Sequence, residues 1–172
     1  LLKKEIFPIS LILILALAKL IPHPPNFTPV IAVAIISGYI FKNIYLSLGV
    51  LVISMLLADV FLGFYNNMLF VYFSLFLIAF ISFNISKRIN FKNLFIYSFF
   101  GSLIFFIISN FGVWFSGGLY QHTLEGLITC YIMALPFFTN TLLSTIIFAL
   151  LIEFIVFSKN LNFFLQLFKK NR

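Results

Sequence analysis

Apolar residues run through the chain in long blocks, and the polar residues gather where the blocks end. A reading window near 19 residues separates six blocks of a length suited to crossing a bilayer, at 6–21, 27–41, 44–62, 68–85, 94–115 and 138–157. The punctuation between them is chemically distinct. Pro22 closes the first block, and Thr28 and Pro29 open the second as a cap and first turn. Lys42 and Asn43 end the second, Gly63 the third, and Lys87 and Arg88 the fourth. Ser116, Gly117 and Gly118 end the fifth. A further apolar stretch at 124–135 stops at Pro136, and its dozen residues are too few to span, so it is expected to be a short re-entrant or interfacial helix before the last span. The expected fold is therefore all-α, a single integral membrane bundle of six transmembrane helices with one short extra helix, covering 1–172.

Composition agrees with that pattern. Hydrophobic residues make up 63% of the 172 positions and charged ones 9%, and the mean hydropathy is +1.17. A soluble domain does not have this balance. The lipid bilayer is the primary partner, and no length remains for a soluble catalytic domain. The net charge of +7 does not point to nucleic acid, because the basic residues stand at block ends and in the tail instead of clustering with aromatic side chains. They act as topology signals. With the amino terminus in the cytoplasm, ten of the eleven basic residues fall on that side and only Lys19 falls outside, which places both termini in the cytoplasm. A competing reading of the first block exists, since Lys3, Lys4, the apolar run and Ala16-Leu17-Ala18 share the plan of a cleavable signal peptide. Cys130 is the single cysteine and can form no intrachain disulfide; it reads as a small buried apolar residue.

Sidedness makes the remaining polar groups informative, because an unpartnered polar side chain in hydrocarbon is costly. His23, Asn26, Thr28, Asp59, Asn110, Trp114, Tyr120, His122 and Asn140 all fall toward the outer ends of their blocks, and we take them as candidate substrate-binding residues. Asp59 lies one turn from the end of the third block, where an ion pair with Lys19 is its expected compensation. On the fifth block Ser98, Ser102, Phe106, Asn110 and Trp114 recur at intervals of four and share a helix face. Thr141, Thr145, Ala149 and Glu153 form a second such line, with Glu153 expected to snorkel to the cytoplasmic surface or pair with Lys159. The stretch PHPPNFTP at 22–29 cannot continue a helix and forms a stiff extended connection, which lowers the entropy lost when a ligand is gripped. No HExxH pattern or acidic spacing supports a metal site, no glycine-rich phosphate loop is present, and no nucleophile stands beside a base, so neither a cofactor nor an enzymatic activity is expected.

The segments AKLIPHPPNFTPV, LADVFLGFY, NFGVWFS, YQHTLEGL and CYIMALPFFTNTLL resemble an uncharacterised family of small bacterial membrane proteins. In length and six-span layout that family is similar to the S components of energy-coupling-factor (ECF) vitamin transporters. The resemblance implies a bacterial cytoplasmic-membrane protein that holds a small nutrient, such as a vitamin or cofactor precursor, in an outward pocket. It also implies a partner, an energising transmembrane subunit with ATPases. The pocket would be capped by the first and fifth external connections, here 22–29 and 116–123. The first helix carries Ala16 and Ala18 two apart, not four, at the place where such a partner would dock. Two other functions use the same residues: an ion- or proton-coupled carrier or channel titrating Asp59, and an accessory membrane subunit without a ligand.

Overall fold

The computed structural model describes residues 3–41, 43–85 and 91–157, and among these the chain is all-helical. Six helices follow one another: α1 Lys3–Leu20, α2 Val30–Phe41, α3 Ile44–Leu62, α4 Met68–Ile85, α5 Phe91–Ser116 and α6 Leu124–Phe157. Among the described residues four of them, α3, α4, α5 and α6, are long and apolar enough to cross a membrane. Large apolar side chains such as Phe61, Val60, Phe100 and Phe154 are more than half exposed on the outside of the bundle. In water such a surface would aggregate; in a bilayer it is the lipid-facing belt.

The helix ends have local causes. Asn43 has an extended backbone and its side chain accepts from the amides of Tyr45 and Leu46 at 2.9 and 3.2 Å, capping α3. Gly63 at the other end takes φ of 93°, and its amide donates to the Asp59 carbonyl at 2.8 Å. Thr123 receives the Gly126 amide at 3.1 Å at the start of α6.

At the centre stands α2, which touches α3, α4, α5 and α6. Every residue from Val30 to Ser37 is buried. Its 12 residues rise about 18 Å, short of the roughly 30 Å hydrocarbon core. A helix apolar on all sides belongs inside a protein, and its neighbours shield α2 from lipid along most of its length. The spacing of Ala34 and Gly38 serves this packing within the chain: a methyl group at Gly38 would come 3.1 Å from the Phe83 backbone on α4. The outer helix α1 packs mainly on α3.

Two expected boundaries are corrected. The second helix begins at Val30 instead of residue 27, because Phe27 and Thr28 close back onto Pro24 and Asn26 in a turn. More consequentially, no separate short helix precedes the last span: 124–135 and 138–157 belong to one 34-residue helix with Pro136 inside it. Proline removes one backbone hydrogen bond, but α5 braces both sides of the gap. The Phe106 ring lies 5.6 Å from Tyr131 before the proline and 5.2 Å from Phe138 after it, and the Tyr131 hydroxyl donates to the Ile107 carbonyl at 2.7 Å. At about 51 Å, α6 exceeds the hydrocarbon thickness. Lys42, Lys87, Arg88, Lys159, Lys169, Lys170 and Arg172 lie outside the described residues, and so does the expected pairing of Glu153 with Lys159.

Candidate functional site

The connections 21–29, 63–67 and 117–123 meet at one end of the bundle and enclose a cavity of about 770 Å³. This falls in the range of small-molecule sites, roughly 300 to 1,000 Å³.

The first wall is the proline-rich connection. The Phe27 amide donates to the Pro24 carbonyl at 2.9 Å, and Asn26 has φ of 62°. Pro25 and Asn26 thus occupy the two central positions of a type II turn, for which proline's fixed φ and asparagine's tolerance of positive φ are suited. This turn is tied down from α6. Asn140 donates to the Pro25 carbonyl at 3.2 Å, and Phe27 meets Phe148 edge to face at 6.0 Å. The His23 Nδ1 lies 2.8 Å from the Pro24 carbonyl. A carbonyl only accepts, so Nδ1 carries the proton.

The second wall is built on Asp59, whose side chain is 1% exposed. Lys19 of α1 donates to one carboxylate oxygen, and the Tyr72 hydroxyl of α4 donates to the other at 2.8 Å. Tyr65 in the α3–α4 connection lies beneath the Lys19 ammonium, 5.7 Å from ring centre to nitrogen. Burial first, and the negative charge of Asp59 second, push the Tyr65 phenol well above its ordinary range, so it stands as a neutral hydroxyl. Lys19 and Tyr65 face the cavity, whereas Asp59 stands behind them.

The third wall is the α5–α6 pair. The shared face of α5 turns toward α6: the Ser102 hydroxyl donates to Thr145 at 3.2 Å, the Phe106 ring meets Tyr131 and Phe138 on either side of Pro136, and the Cys130 thiol reaches the Asn110 carbonyl at 3.4 Å. Ser98 is buried, and among the described residues its hydroxyl has no hydrogen-bond partner. Higher on α5, the Trp114 indole donates to the Gln121 carbonyl at 2.9 Å. The His122 ring lies 5.4 Å from Trp114 and stacks on Phe115. These contacts hold the connection in which Leu119 and Tyr120 face the cavity.

The structure thus divides the nine candidates. His23, Asn26, Thr28, Asn110 and Tyr120 line the cavity. Asp59, Trp114, His122 and Asn140 do not; they are the posts that hold its walls, each engaged with protein groups. Lining residues outside the candidate set include Lys19, Tyr65, Asn67 and Ser109. Lys19 was visible as the one basic residue on the outer side, and Tyr65 and Asn67 as the polar end of FLGFYNN. The deep apolar lining of Met55, Leu75, Phe105 and Phe137 carried no signal, being indistinguishable by type from lipid-facing residues. Among the described residues no three His, Cys, Asp or Glu side chains gather closely enough to hold a metal ion.

These features define an all-helical membrane protein with a roomy, mixed-polarity cavity at one end. The chain belongs to the family of unknown function DUF6580, whose family model matches residues 2–162. No curated protein and no solved structure matches it.

Proposed function

We propose that this protein is a membrane-embedded subunit that binds a small nutrient, of the vitamin or cofactor-precursor kind, from outside a bacterial cell and passes it across the cytoplasmic membrane, in the manner of an ECF S component. The observation that carries this reading is the cavity of about 770 Å³, enclosed by the connections 21–29, 63–67 and 117–123 and lined by five of the nine candidate residues. Polar groups in a lipid solvent are expensive, and five of them turned into one hollow are best used on a guest. The reading places both termini in the cytoplasm, requires no chemical conversion of the cargo, and draws any ATP-derived energy from a partner subunit.

A carrier built on titration of Asp59 is less well supported, since both carboxylate oxygens already accept hydrogen bonds and the group stands behind the cavity wall. A subunit that only packs other helices has no use for the hollow. Purification in mild detergent followed by native mass spectrometry tests the proposal. A small molecule retained at one per chain, and lost on replacing Asn110 and Tyr120 by alanine while the protein stays folded, is the expected result. Retention of nothing, together with uptake unaffected by those substitutions, sinks it.

A further inference from the structure

The cavity has a definite charge character. Among the described residues Lys19 is the one lysine, arginine or carboxylate side chain in the lining, with the His23 imidazole on the proline-rich wall, and the carboxylate of Asp59 directly behind Lys19 neutralises its charge. The other carboxylates described with their side chains, Glu125 and Glu153, are not part of the lining. A guest with a fixed charge would therefore leave water without a counter-charge at its destination. An amine would find no free carboxylate. An acid would have to share Lys19 with Asp59, or take it and leave a buried carboxylate with Tyr72 alone.

The pair is nevertheless not inert toward a ligand. An ammonium has three N–H donors, of which Asp59 engages one, so Lys19 retains donors without presenting net charge. The polarity is also graded with depth. Lys19, Tyr65 and Asn67 stand close to the connections, whereas Met55, Leu75 and Phe105 lie one or more turns further along their helices.

We propose that the cavity takes an uncharged amphipathic molecule, its ring or chain body in the apolar depth and its hydrogen-bond acceptors toward Lys19, and that the Lys19–Asp59 pair is the determinant of this charge selectivity. The inference rests on the binding function above and narrows its substrate class. It separates the two roles of Asp59: the carboxylate does not touch the guest, but it decides which guests are admitted.

The test uses the full chain in detergent and three probes sharing one scaffold: indole-3-acetamide, indole-3-acetate and tryptamine, neutral, anionic and cationic at pH 7. Thermal shift and native mass spectrometry are read for the wild type, for Asp59→Asn, and for the neutral double variant Lys19→Gln/Asp59→Asn. The wild type should favour the amide over both charged probes by about tenfold. Asp59→Asn keeps the shape and the Tyr72 contact but frees the Lys19 charge, so its preference should move to the carboxylate. The double variant should return to the amide, which keeps the test sound if the single variant folds poorly. Preference of the wild type for the acid or the amine, or a co-purified molecule carrying a fixed charge, overturns the charge inference and leaves binding intact. No retained molecule and no stabilisation by any probe removes the binding function itself, and this inference with it.

Discussion

Lys19 at the end of α1 donates to Asp59 near the end of α3, forty residues further along the chain, and this contact joins an outer helix to the body of the bundle beside the cavity. The Lys19 side chain is 18% exposed and that of Asp59 1%, so the pair is sheltered from solvent screening. Removing one member of a buried pair strands the other, at a cost of about 3 to 5 kcal/mol, whereas replacing both with apolar groups is often close to neutral. Asp59→Leu should therefore lower the melting temperature in detergent much more than Lys19→Met/Asp59→Leu. Equal losses in the two variants would show that the ion pair contributes no coupling between α1 and α3.

Close packing of α5 on α4 depends on Gly112. A methyl group there would come 2.6 Å from the Phe70 Cβ and ring, closer than any real contact. Gly112→Ala should destabilise by about 1 to 3 kcal/mol, the usual cost of overpacking. Gly49→Ala is the control, because its added methyl meets nothing within 4 Å and helix propensity favours alanine. Melting curves that rank the two variants the other way would refute the α4–α5 geometry.

The posts and the lining should respond differently to mutation. Trp114→Phe removes the bond to the Gln121 carbonyl, and Asn140→Ala the bond to the Pro25 carbonyl. Each hydrogen bond contributes about 1 kcal/mol net, so each variant should weaken ligand retention about fivefold through a looser connection. Hydrogen exchange provides the distinguishing readout: amides of 117–123 should exchange faster in the first variant and those of 21–28 in the second. Asn110→Ala, which alters the lining, should weaken retention without that local change.

The turn at 24–27 places a non-glycine residue at φ of 62°. Alanine pays about 1 kcal/mol in this region, whereas glycine enters it freely. Asn26→Ala should lower stability and Asn26→Gly should be tolerated. Thermal unfolding of the two variants checks this, and equal behaviour would remove the type II turn.

Much of the fold was legible because lipid imposes simple rules. An apolar block of about 20 residues has few alternatives to a helix, so the ends of α3 and α4 fall where the polar punctuation puts them. The link between Lys19 and Asp59 was legible for the same reason: two opposite charges near the ends of apolar blocks that close on the same side have few other partners. Pro136 misled because the local rule sees a lost hydrogen bond, while the bracing ring of Phe106 comes from another helix.

The sequence by itself determined that this is a helical membrane protein with its polar groups collected toward one end, since solvation cost depends on residue type and block length alone. Only the tertiary structure decided which of those groups face a cavity and which hold its walls. Trp114 and Tyr120, both polar-tipped aromatics six residues apart, differ only in the direction taken by the backbone between them. That direction is set by contacts between helices, which no single stretch of the chain contains.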